Sequence, residues 1–177
     1  MVVQKNNTQG EIRICVDLRK LNDSCLHDPF RTSFTDEFLD NVGGQEAYSF
    51  TDEFSGYHQI RIAPEDRYKI TFSTEWGSHQ YKVMPFGLKH TPSILSRVVV
   101  AAFKEYIHKC LEVYFDYWSI FGFLSKHVGS LRLMLDTCRQ YQISLNLKKC
   151  IFCVPFGILL RRIVCKQGLM VDPVISV

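Results

Sequence analysis

The sequence predicts an α+β fold. Residues 11–17 alternate strictly between apolar and polar side chains, which is the pattern of a half-buried β-strand. Residues 93–109 and 125–141 instead have the character of helices. Because strands and helices do not alternate in a regular βαβ order, antiparallel sheets with segregated helices are favoured over a doubly wound fold.

The first quarter of the chain is predicted to form a hairpin and a short helix. Turn-forming residues fill positions 6–10, so residues 1–17 are expected to fold as a β-hairpin. Residues 33–42 follow as a short helix, with Ser33 or Thr35 as the N-cap, acidic residues in its first turn and a Gly-Gly pair at its end.

The middle of the chain is predicted to contain a strand and a second hairpin. Residues 47–52 form a strand-like run that ends in a lone carboxylate, Asp52, and a compact turn follows it. Residues 68–76 and 79–84 are expected to pair around a Gly77-Ser78 turn.

A helix and a third hairpin are expected next. Pro92 stands where a helix over residues 93–109 would begin. Apolar runs lie on both sides of the segment Tyr114-Phe115-Asp116-Tyr117, which makes this tetrad the predicted tip of a β-hairpin. A second lone carboxylate, Asp116, therefore lies at the end of a strand.

The last part of the chain is predicted to form one long helix and several short strands. The helix over residues 125–141 has one apolar face. That face consists of Val128, Leu131, Leu135 and Cys138. The tail over residues 144–171 is expected to form short strands broken by Pro155 and Gly157.

Composition limits the class of protein. With 177 residues, 46% hydrophobic and 22% charged, the chain has the length and balance of one globular domain, or of two small lobes that share a core. No apolar run approaches a membrane span, so no membrane partner is expected, and the polar N-terminus lacks the apolar core of a secretory signal. Seven cysteines without a secretory context suggest reduced thiols in the cytoplasm or nucleus. The net charge of +3 permits nucleic-acid binding without requiring it.

Several short motifs form a set whose order is highly specific. The three main motifs are residues 50–57, 84–88 and 114–116, and the supporting segments are residues 17–22 and 62–66. With these motifs in this order, the chain from about residue 13 to residue 171 resembles the reverse transcriptase domain of a gypsy-type long-terminal-repeat retrotransposon.

The resemblance implies the fingers and palm of a right-hand polymerase, with an antiparallel palm sheet packed on helices and no thumb. The domain would span residues 1–177 with fingers and palm intermixed, the palm mainly at 43–65 and 92–177. The implied partners are an RNA or DNA template with its primer and deoxynucleoside triphosphates. Other polyprotein domains, such as RNase H and integrase, are implied as well.

Asp52 and Asp116 are the catalytic, metal-binding residues that the resemblance implies. When a primer 3′-hydroxyl attacks the α-phosphate, charge builds on the phosphate oxygens, and divalent ions supply most of the catalysis. Mg²⁺, with Mn²⁺ as an alternative, prefers hard oxygen ligands and keeps several waters, so a few carboxylates suffice. The two aspartates can meet only if their strand ends are neighbours in one sheet. Taken singly, each is also consistent with a cap of a strand or turn.

The resemblance also implies a set of nucleotide-binding residues. Arg13 matches the fingers arginine that grips the triphosphate bidentately, and Lys5 is a second candidate for that role. Tyr57 matches the aromatic residue that sterically rejects a 2′-hydroxyl. Phe86 and Gly87 match residues beside the nucleotide and template. Each position also has a plain structural interpretation, such as a solvated strand arginine, a core tyrosine or a packed phenylalanine.

Two lysines and a cysteine pair complete the candidate residues. Lys148 or Lys149 resembles the family lysine near the pyrophosphate, a candidate proton donor, although adjacent lysines on an exposed strand are common. The C-x-x-C sequence at residues 150–153 has Cys165 as a third candidate ligand but no matching fourth. Buried free thiols are therefore expected there, in place of a zinc or redox site.

The chain departs from the family pattern at several motif positions. Tyr117 stands where the motif normally has its second aspartate, and a neutral phenol is a poor magnesium ligand. His90 and Thr91 replace the usual asparagine and alanine. Arg161 replaces a glycine of the hairpin that grips the primer, where a positive φ would strain arginine. The resemblance implies an RNA-directed DNA polymerase domain, and these changes predict that its activity is severely impaired.

Two alternatives to a polymerase stay open. One is a non-catalytic nucleic-acid-binding remnant, in which Tyr48, Phe50 and Trp118 would stack on single strands. The other is a retroelement fragment that does not fold on its own.

Overall fold

The described part of the chain divides into two units, each assembled from two separate stretches of sequence. The structure, a computed structural model, describes residues 2–5, 12–26, 28, 30 and 34–171, with the backbone alone for 2–5 and 12–15. The first unit comprises Met1–Phe30 and Tyr57–Leu95, and the second comprises Arg31–Gly56 and Ser96–Val177.

The described residues form eleven strands and four α-helices. In chain order the strands are β1 (Val2–Lys5), β2 (Ile12–Cys15), β3 (Ala47–Asp52), β4 (Thr71–Thr74), β5 (Gly77–Gln80), β6 (Leu111–Tyr114), β7 (Tyr117–Gly122), β8 (Ile151–Val154), β9 (Phe156–Leu159), β10 (Arg162–Cys165) and β11 (Gly168–Val171). The α-helices are α1 (Arg19–Ser24), α2 (Thr35–Val42), α3 (Thr91–Phe103) and α4 (Leu124–Gln140), and 3-10 helices occupy Gly56–Gln59 and Pro64–Ile70. None of the described helices has the length and apolarity needed to cross a membrane.

The first unit contains two hairpins and short helices. Antiparallel pairing of β1 with β2 confirms the predicted N-terminal hairpin, whereas α1 was not predicted. The β4–β5 hairpin is also confirmed, but its turn lies at Glu75 and Trp76, two residues before the predicted one. The Thr74 hydroxyl stabilises this turn by accepting a hydrogen bond from the Trp76 N–H at 3.3 Å and donating one to the Gly77 carbonyl at 3.2 Å. The predicted strand start at residue 68 is wrong, because the 3-10 helix that begins at Pro64 continues to Ile70.

A four-stranded antiparallel sheet, in the order β6-β7-β3-β8, is the centre of the second unit. Helix α4 packs against β3 and β7, and α2 packs against β6. A separate three-stranded antiparallel sheet is formed by β9, β10 and β11. The predicted α+β class, with an antiparallel sheet packed on helices, is therefore confirmed.

Helix α2 supplies much of the apolar core of this unit. The core cluster consists of Phe38, Leu39, Val42, Tyr48, Phe121, Leu159 and Val164. Thr35 as the N-cap of α2 is wrong: Phe34 is the N-cap, and no side chain caps the helix. The Thr35 hydroxyl instead lies 2.9 Å from the Tyr114 hydroxyl, and the other predicted cap, Ser33, lies outside the described residues. Gly43 ends the helix as predicted.

Helix α4 has the predicted length but buries a different face. The buried residues are His127, Met134, Thr137 and Cys138. Of the predicted apolar face, Cys138 is buried and Leu131 is half-buried as expected, but Val128 and Leu135 are exposed. The buried face includes a polar contact with the sheet, because His127 Nε2 lies 2.8 Å from the Ser49 hydroxyl in β3.

The end of α3 and the position of Gly157 also differ from prediction. Helix α3 ends at Phe103, and residues 104–110 form turns in place of the predicted helical continuation to residue 109. Pro155 separates β8 from β9 as expected, but Gly157 lies within β9 and does not break the tail. A Cβ atom on Gly157 would lie 2.1 Å from a ring carbon of Phe50, so the glycine permits close packing of the two sheets.

Candidate active site

Antiparallel pairing of β3 with β7 brings the two predicted carboxylates to one end of the sheet. Asp52, the last residue of β3, lies directly opposite Tyr117, the first residue of β7. Asp116 precedes Tyr117 in the turn that joins β6 to β7. Directly opposed residues of an antiparallel pair point to the same face, so the Tyr117 phenol stands beside the Asp52 carboxylate. The strands that end near Asp52 and Asp116 are therefore neighbours in one sheet, which is the condition for the two aspartates to meet.

The β6–β7 turn is tight and is anchored at its first residue. Tyr114 pairs with Tyr117, which leaves only Phe115 and Asp116 in the turn, as the predicted hairpin tip requires. Phe115 has a φ of +53°, the sign that primed two-residue turns need at their first central position. The ring of Tyr114 lies 5.2 Å from that of Phe38 in α2. The turn therefore presents Asp116 to solvent from a fixed base.

A lysine from the loop before β8 contacts Asp52. Lys149 Nζ lies 3.3 Å from Asp52 Oδ2, where the aspartate side chain is 15% exposed. The same loop is held beside β3 by a backbone hydrogen bond of 2.8 Å from the Asn146 N–H to the Asp52 carbonyl. Of the two candidate lysines, which are both exposed and lie in the same turn, Lys149 is the one that contacts the carboxylate.

Glu53 is a residue of this site that the sequence analysis missed. It follows Asp52, is only 7% exposed, and its Oε1 atom has no hydrogen-bond partner among the described residues. Burial, and then the negative charges of Asp116 and Asp52, raise the pKa of the Glu53 carboxyl to about 8. Its charge is also the second cause, after burial, of the raised pKa of the Cys138 thiol on α4. Glu53 is therefore an inward-facing acid beside an outward-facing one.

The burial of Glu53 is matched by a glycine three residues later. A Cβ atom on Gly56 would lie 2.0 Å from Glu53 Oε2, so a larger residue cannot occupy position 56 without moving the carboxyl group. The sequence contained one signal for this arrangement. Because strand residues alternate between faces, an Asp-Glu pair that ends a strand with Asp52 facing outward must turn Glu53 inward.

Three predicted nucleotide-binding residues lie together in the first unit. The ring of Phe86 contacts Tyr57 edge-on, with 5.2 Å between ring centroids, and His58 at 5.0 Å. Phe86 is 54% exposed, which contradicts its interpretation as an ordinary core residue. Gly87 follows with a φ of +95°, a conformation that L side chains rarely adopt. The site residues thus fall into two groups, one in each unit.

The remaining candidates have less defined positions. Arg13 lies on β2 opposite Gln4, and Lys5 lies on β1, but their side chains are outside the described part of the structure. His90 is half-buried in the turn before α3, and Thr91 is buried at the start of that helix.

The β9–β10 turn has the positive φ angles that favour glycine, which the family has where this chain has Arg161. Leu160 and Arg161 form this turn with φ values of +48° and +64°. Both residues therefore occupy the left-handed region, in which residues other than glycine and asparagine are strained by about 1–2 kcal/mol each. The strain predicted for Arg161 thus has a structural basis.

The cysteine pair gives no sign of a metal site. Cys150 is half-buried and Cys153 is exposed, so the expectation of buried thiols is wrong for Cys153, which lies on the exposed strand β8. Within the described ranges, no group of three or more His, Cys, Asp or Glu side chains is arranged to hold a metal ion.

Two of the three aromatic residues proposed for stacking on single strands are inaccessible. Tyr48 is 0% exposed and Trp118 is 1% exposed, whereas Phe50 is half-buried in a stack on Tyr48. The proposed stacking is therefore wrong for Tyr48 and Trp118, because β3 and β7 are covered by α4 and by the β9–β11 sheet.

The sheet topology and the carboxylates at its strand ends define a class of protein, the fingers and palm of a right-hand polymerase. Residues 3–169 match the family model described as reverse transcriptase (RNA-dependent DNA polymerase). The chain belongs to the reverse transcriptase family.

Relatives from mobile elements and a plant virus support this family. The chain is 30% identical over 177 residues to the retrovirus-related Pol polyprotein from transposon 297 of Drosophila melanogaster, covering 98% of the chain and 17% of that polyprotein. The Pol polyprotein from transposon gypsy is 32% identical over 177 residues, with shares of 97% and 17%. The enzymatic polyprotein of cauliflower mosaic virus is 30% identical over 147 residues, with shares of 82% and 22%. The chain thus spans less than a quarter of each of these relatives.

Solved structures share the fold at low sequence identity. A foamy viral protease-reverse transcriptase in complex with an RNA/DNA hybrid has a TM-score of 0.83 at 18% identity, covering 94% of this chain and 22% of that one. The same type of protein in complex with double-stranded DNA has a TM-score of 0.85 at 19% identity, with shares of 94% and 29%. The fold predicted from the sequence motifs is confirmed by this likeness.

Proposed function

We propose that this chain is the fingers-and-palm part of an RNA-directed DNA polymerase whose polymerisation is severely impaired. The observation that carries the proposal is the pairing of Asp52 with Tyr117, directly beside Asp116. Two carboxylates at a strand end are typical of phosphoryl transfer, and a phenol stands where a third carboxylate would complete the motif.

The carboxylates of Asp52 and Asp116 fit a Mg²⁺ ion, with Mn²⁺ as an alternative. Mg²⁺ is usually bound by one or two carboxylates together with waters and substrate phosphates, so the pair offers enough hard oxygen ligands. When bound, such ions neutralise charge that develops on the phosphate oxygens. The two-metal form of this chemistry needs more negative charge than one aspartate pair and a neutral phenol provide, which is the physical reason for the proposed impairment.

The chain's own residues supply the other parts of the reaction. The contact between Lys149 and Asp52 favours Lys149 over Lys148 as the proton donor to the leaving pyrophosphate. Tyr57, held against Phe86, would exclude a ribose by volume, and Gly87 would let the backbone approach the nucleotide. Arg13 would bind the triphosphate oxygens.

The proposed partners are a primed RNA or DNA template and deoxynucleoside triphosphates. The solved neighbours named as complexes with an RNA/DNA hybrid and with double-stranded DNA support such a template. Because the relatives are polyproteins, we expect accompanying domains such as RNase H and integrase. Function in the cytoplasm or nucleus is part of the same proposal.

Primer extension on an RNA template tests the proposal in Mg²⁺ and in Mn²⁺. The variant Tyr117→Asp, called the revertant below, is expected to extend primers on the order of 10²–10³-fold faster than the unmodified chain, the effect of one strong electrostatic group in a transition state. Tyr141→Asp is a matched control, because Tyr141 is an exposed tyrosine at the end of α4. Asp52→Asn in the revertant should abolish extension.

Three results would separate the alternatives. Robust extension by the unmodified chain that is lost in Asp52→Asn would contradict the proposed impairment. A dead revertant that still binds primer–template in a salt-dependent manner would favour the non-catalytic nucleic-acid-binding remnant. A broad thermal transition with dye binding would instead identify a fragment that does not fold on its own.

A further inference from the structure

The side-chain amide of Asn22 is bonded to the loop that carries Phe86 and Gly87. Asn22 Nδ2 donates a hydrogen bond of 2.8 Å to the Gly87 carbonyl, and Asn22 Oδ1 accepts one of 2.8 Å from the Lys89 N–H. A backbone carbonyl only accepts and a backbone N–H only donates, so the two bonds together fix the orientation of the amide. The amide therefore binds the loop at two points, one on each side of Leu88.

Asn22 is itself held by helix α1. Its N–H donates a 2.9 Å hydrogen bond to the Leu18 carbonyl. Asparagine is a weak helix former, and its amide competes for backbone hydrogen bonds, so it is a poor choice for the middle of a six-residue helix. The two hydrogen bonds to the loop, and not helix propensity, therefore explain why asparagine is suited to position 22.

The loop transmits the contact to the aromatic cluster within the same unit. Gly87, whose carbonyl Asn22 binds, adopts a positive φ of +95°, a backbone conformation that L side chains rarely adopt. Phe86, the preceding residue, contacts the ring of Tyr57 edge-on at 5.2 Å. A change in the Asn22 bonds thus alters the turn at residues 86–87, and through it the surface against which the Tyr57 ring rests.

We propose that Asn22 is a positioning residue that holds the Phe86-Gly87 turn and so fixes the ring of Tyr57 for selection of deoxyribose over ribose. The inference rests on the proposed function, in which Tyr57 excludes a 2′-hydroxyl by volume. Steric exclusion requires that the Tyr57 ring stay in place, because a small displacement of the ring would make room for the 2′-hydroxyl oxygen of a ribonucleotide. Asn22 would contact neither nucleotide nor metal and would act through the loop.

Equilibrium binding of two nucleotides measures this selection directly. The unmodified chain is bound to a primer–template whose primer ends in a dideoxynucleotide, in Mg²⁺, and the Kd values of dATP and ATP are compared opposite a template uracil. The readout is the ratio of the two Kd values. A smaller folded fraction changes both apparent affinities by the same factor and leaves the ratio unchanged, so a purely structural role of Asn22 does not move it.

Two variants and one control make the experiment specific. Asn22→Leu has similar size and removes both bonds, so the preference for dATP should fall about 3- to 10-fold, the effect of losing roughly one net hydrogen bond. Asn22→Asp keeps an acceptor for the Lys89 N–H but sets a carboxylate oxygen against the Gly87 carbonyl, so it should also lower the preference. Ser24→Ala removes a 3.1 Å bond to the Lys20 carbonyl within the same helix and should leave the ratio unchanged.

Hydrogen exchange at the Lys89 amide tests the contact independently of nucleotide binding. Exchange should become at least about tenfold faster in Asn22→Leu and stay slow in Ser24→Ala, because the amide loses its acceptor only in the first variant. Unchanged exchange would overturn the contact itself. Faster exchange with an unchanged Kd ratio would overturn the role of Asn22 in selection alone. No binding of either nucleotide even by Tyr117→Asp, the variant in which the proposed metal site is restored, would overturn the proposed function, and the role of Asn22 with it.

Discussion

Replacement of Glu53 by glutamine should remove a large pH dependence of stability from the second unit. Glu53 is buried at the end of β3, and its pKa is raised from 4.5 to about 8 by burial and by the charges of Asp116 and Asp52. A folded state with the higher pKa retains the proton after the unfolded chain has lost it. The contribution of protonated Glu53 to the free energy of unfolding is therefore fully present below about pH 4.5 and is lost as pH rises through about 8.

The magnitude follows from the two pKa values. Each pKa unit corresponds to about 1.4 kcal/mol, so the easier ionisation of Glu53 in the unfolded chain should lower the free energy of unfolding by about 3 kcal/mol at pH 7 and between about 4 and 5 kcal/mol at pH 9. Glu53→Gln has no ionisable group at this position. The variant should match the unmodified chain within about 1 kcal/mol at pH 5 and exceed it by about 4 kcal/mol at pH 9.

Urea denaturation from pH 5 to pH 9 in EDTA provides the assay. EDTA keeps divalent ions from lowering the pKa of nearby carboxyl groups. Trp118 is buried 5.1 Å from Phe103 and reports on the second unit, whereas Trp76 is 79% exposed and should change little on unfolding. Glu105→Gln, at an exposed residue of the same unit, is the matched control and should not alter the pH dependence. Parallel pH profiles for Glu53→Gln and the unmodified chain would refute the reasoning.

Three further predictions concern the turns, the sheets and the lysines. Arg161→Gly should stabilise the protein by about 0.5–1 kcal/mol in urea denaturation, because glycine accepts the φ of +64° at little cost, and a loss of stability would contradict the strain. Gly157→Ala should destabilise by about 1–3 kcal/mol, since its Cβ would meet an aromatic ring, whereas Gly129→Ala, with nothing within 4 Å, should stabilise helix α4 by about 0.5–1 kcal/mol. In the revertant, Lys149→Met should slow primer extension by about 10²-fold and Lys148→Met should have little effect; equal losses would show that contact with Asp52 does not select the proton donor.

The position of the strand-end carboxylates could be predicted because short-range rules determine it. A strand-like run bounded by a compact turn indicates β3, and a short turn between apolar runs indicates the β6–β7 hairpin. These rules place Asp52 and Asp116 at strand ends without reference to the rest of the chain. What they do not give is the register, which sets Tyr117 directly opposite Asp52, because register depends on how all four strands of the sheet pack.

Two of the errors arose where a polar group is buried. Apolar spacing on α4 indicated a face centred on Val128 and Leu135, but the structure turns His127 toward Ser49. Glu53 was overlooked for the same reason, since hydrophobic patterning assigns every acid to the surface. Both residues are buried in contact with other parts of the fold, so their positions depend on tertiary structure, which local sequence does not report.

The net charge around Asp52 and Asp116 explains why the residue at position 117 matters so much for the proposed activity. Three acidic residues, Asp52, Glu53 and Asp116, lie at this end of the sheet. Lys149 offsets the charge of Asp52 at 3.3 Å, and Glu53, with a pKa of about 8, retains its proton near neutral pH. The net charge of these side chains is therefore about −1, and an aspartate at position 117 would roughly double it. If the proposed metal site is correct, Tyr117 deprives it of about half of the negative charge that would attract a divalent cation, although it changes only one residue of the motif.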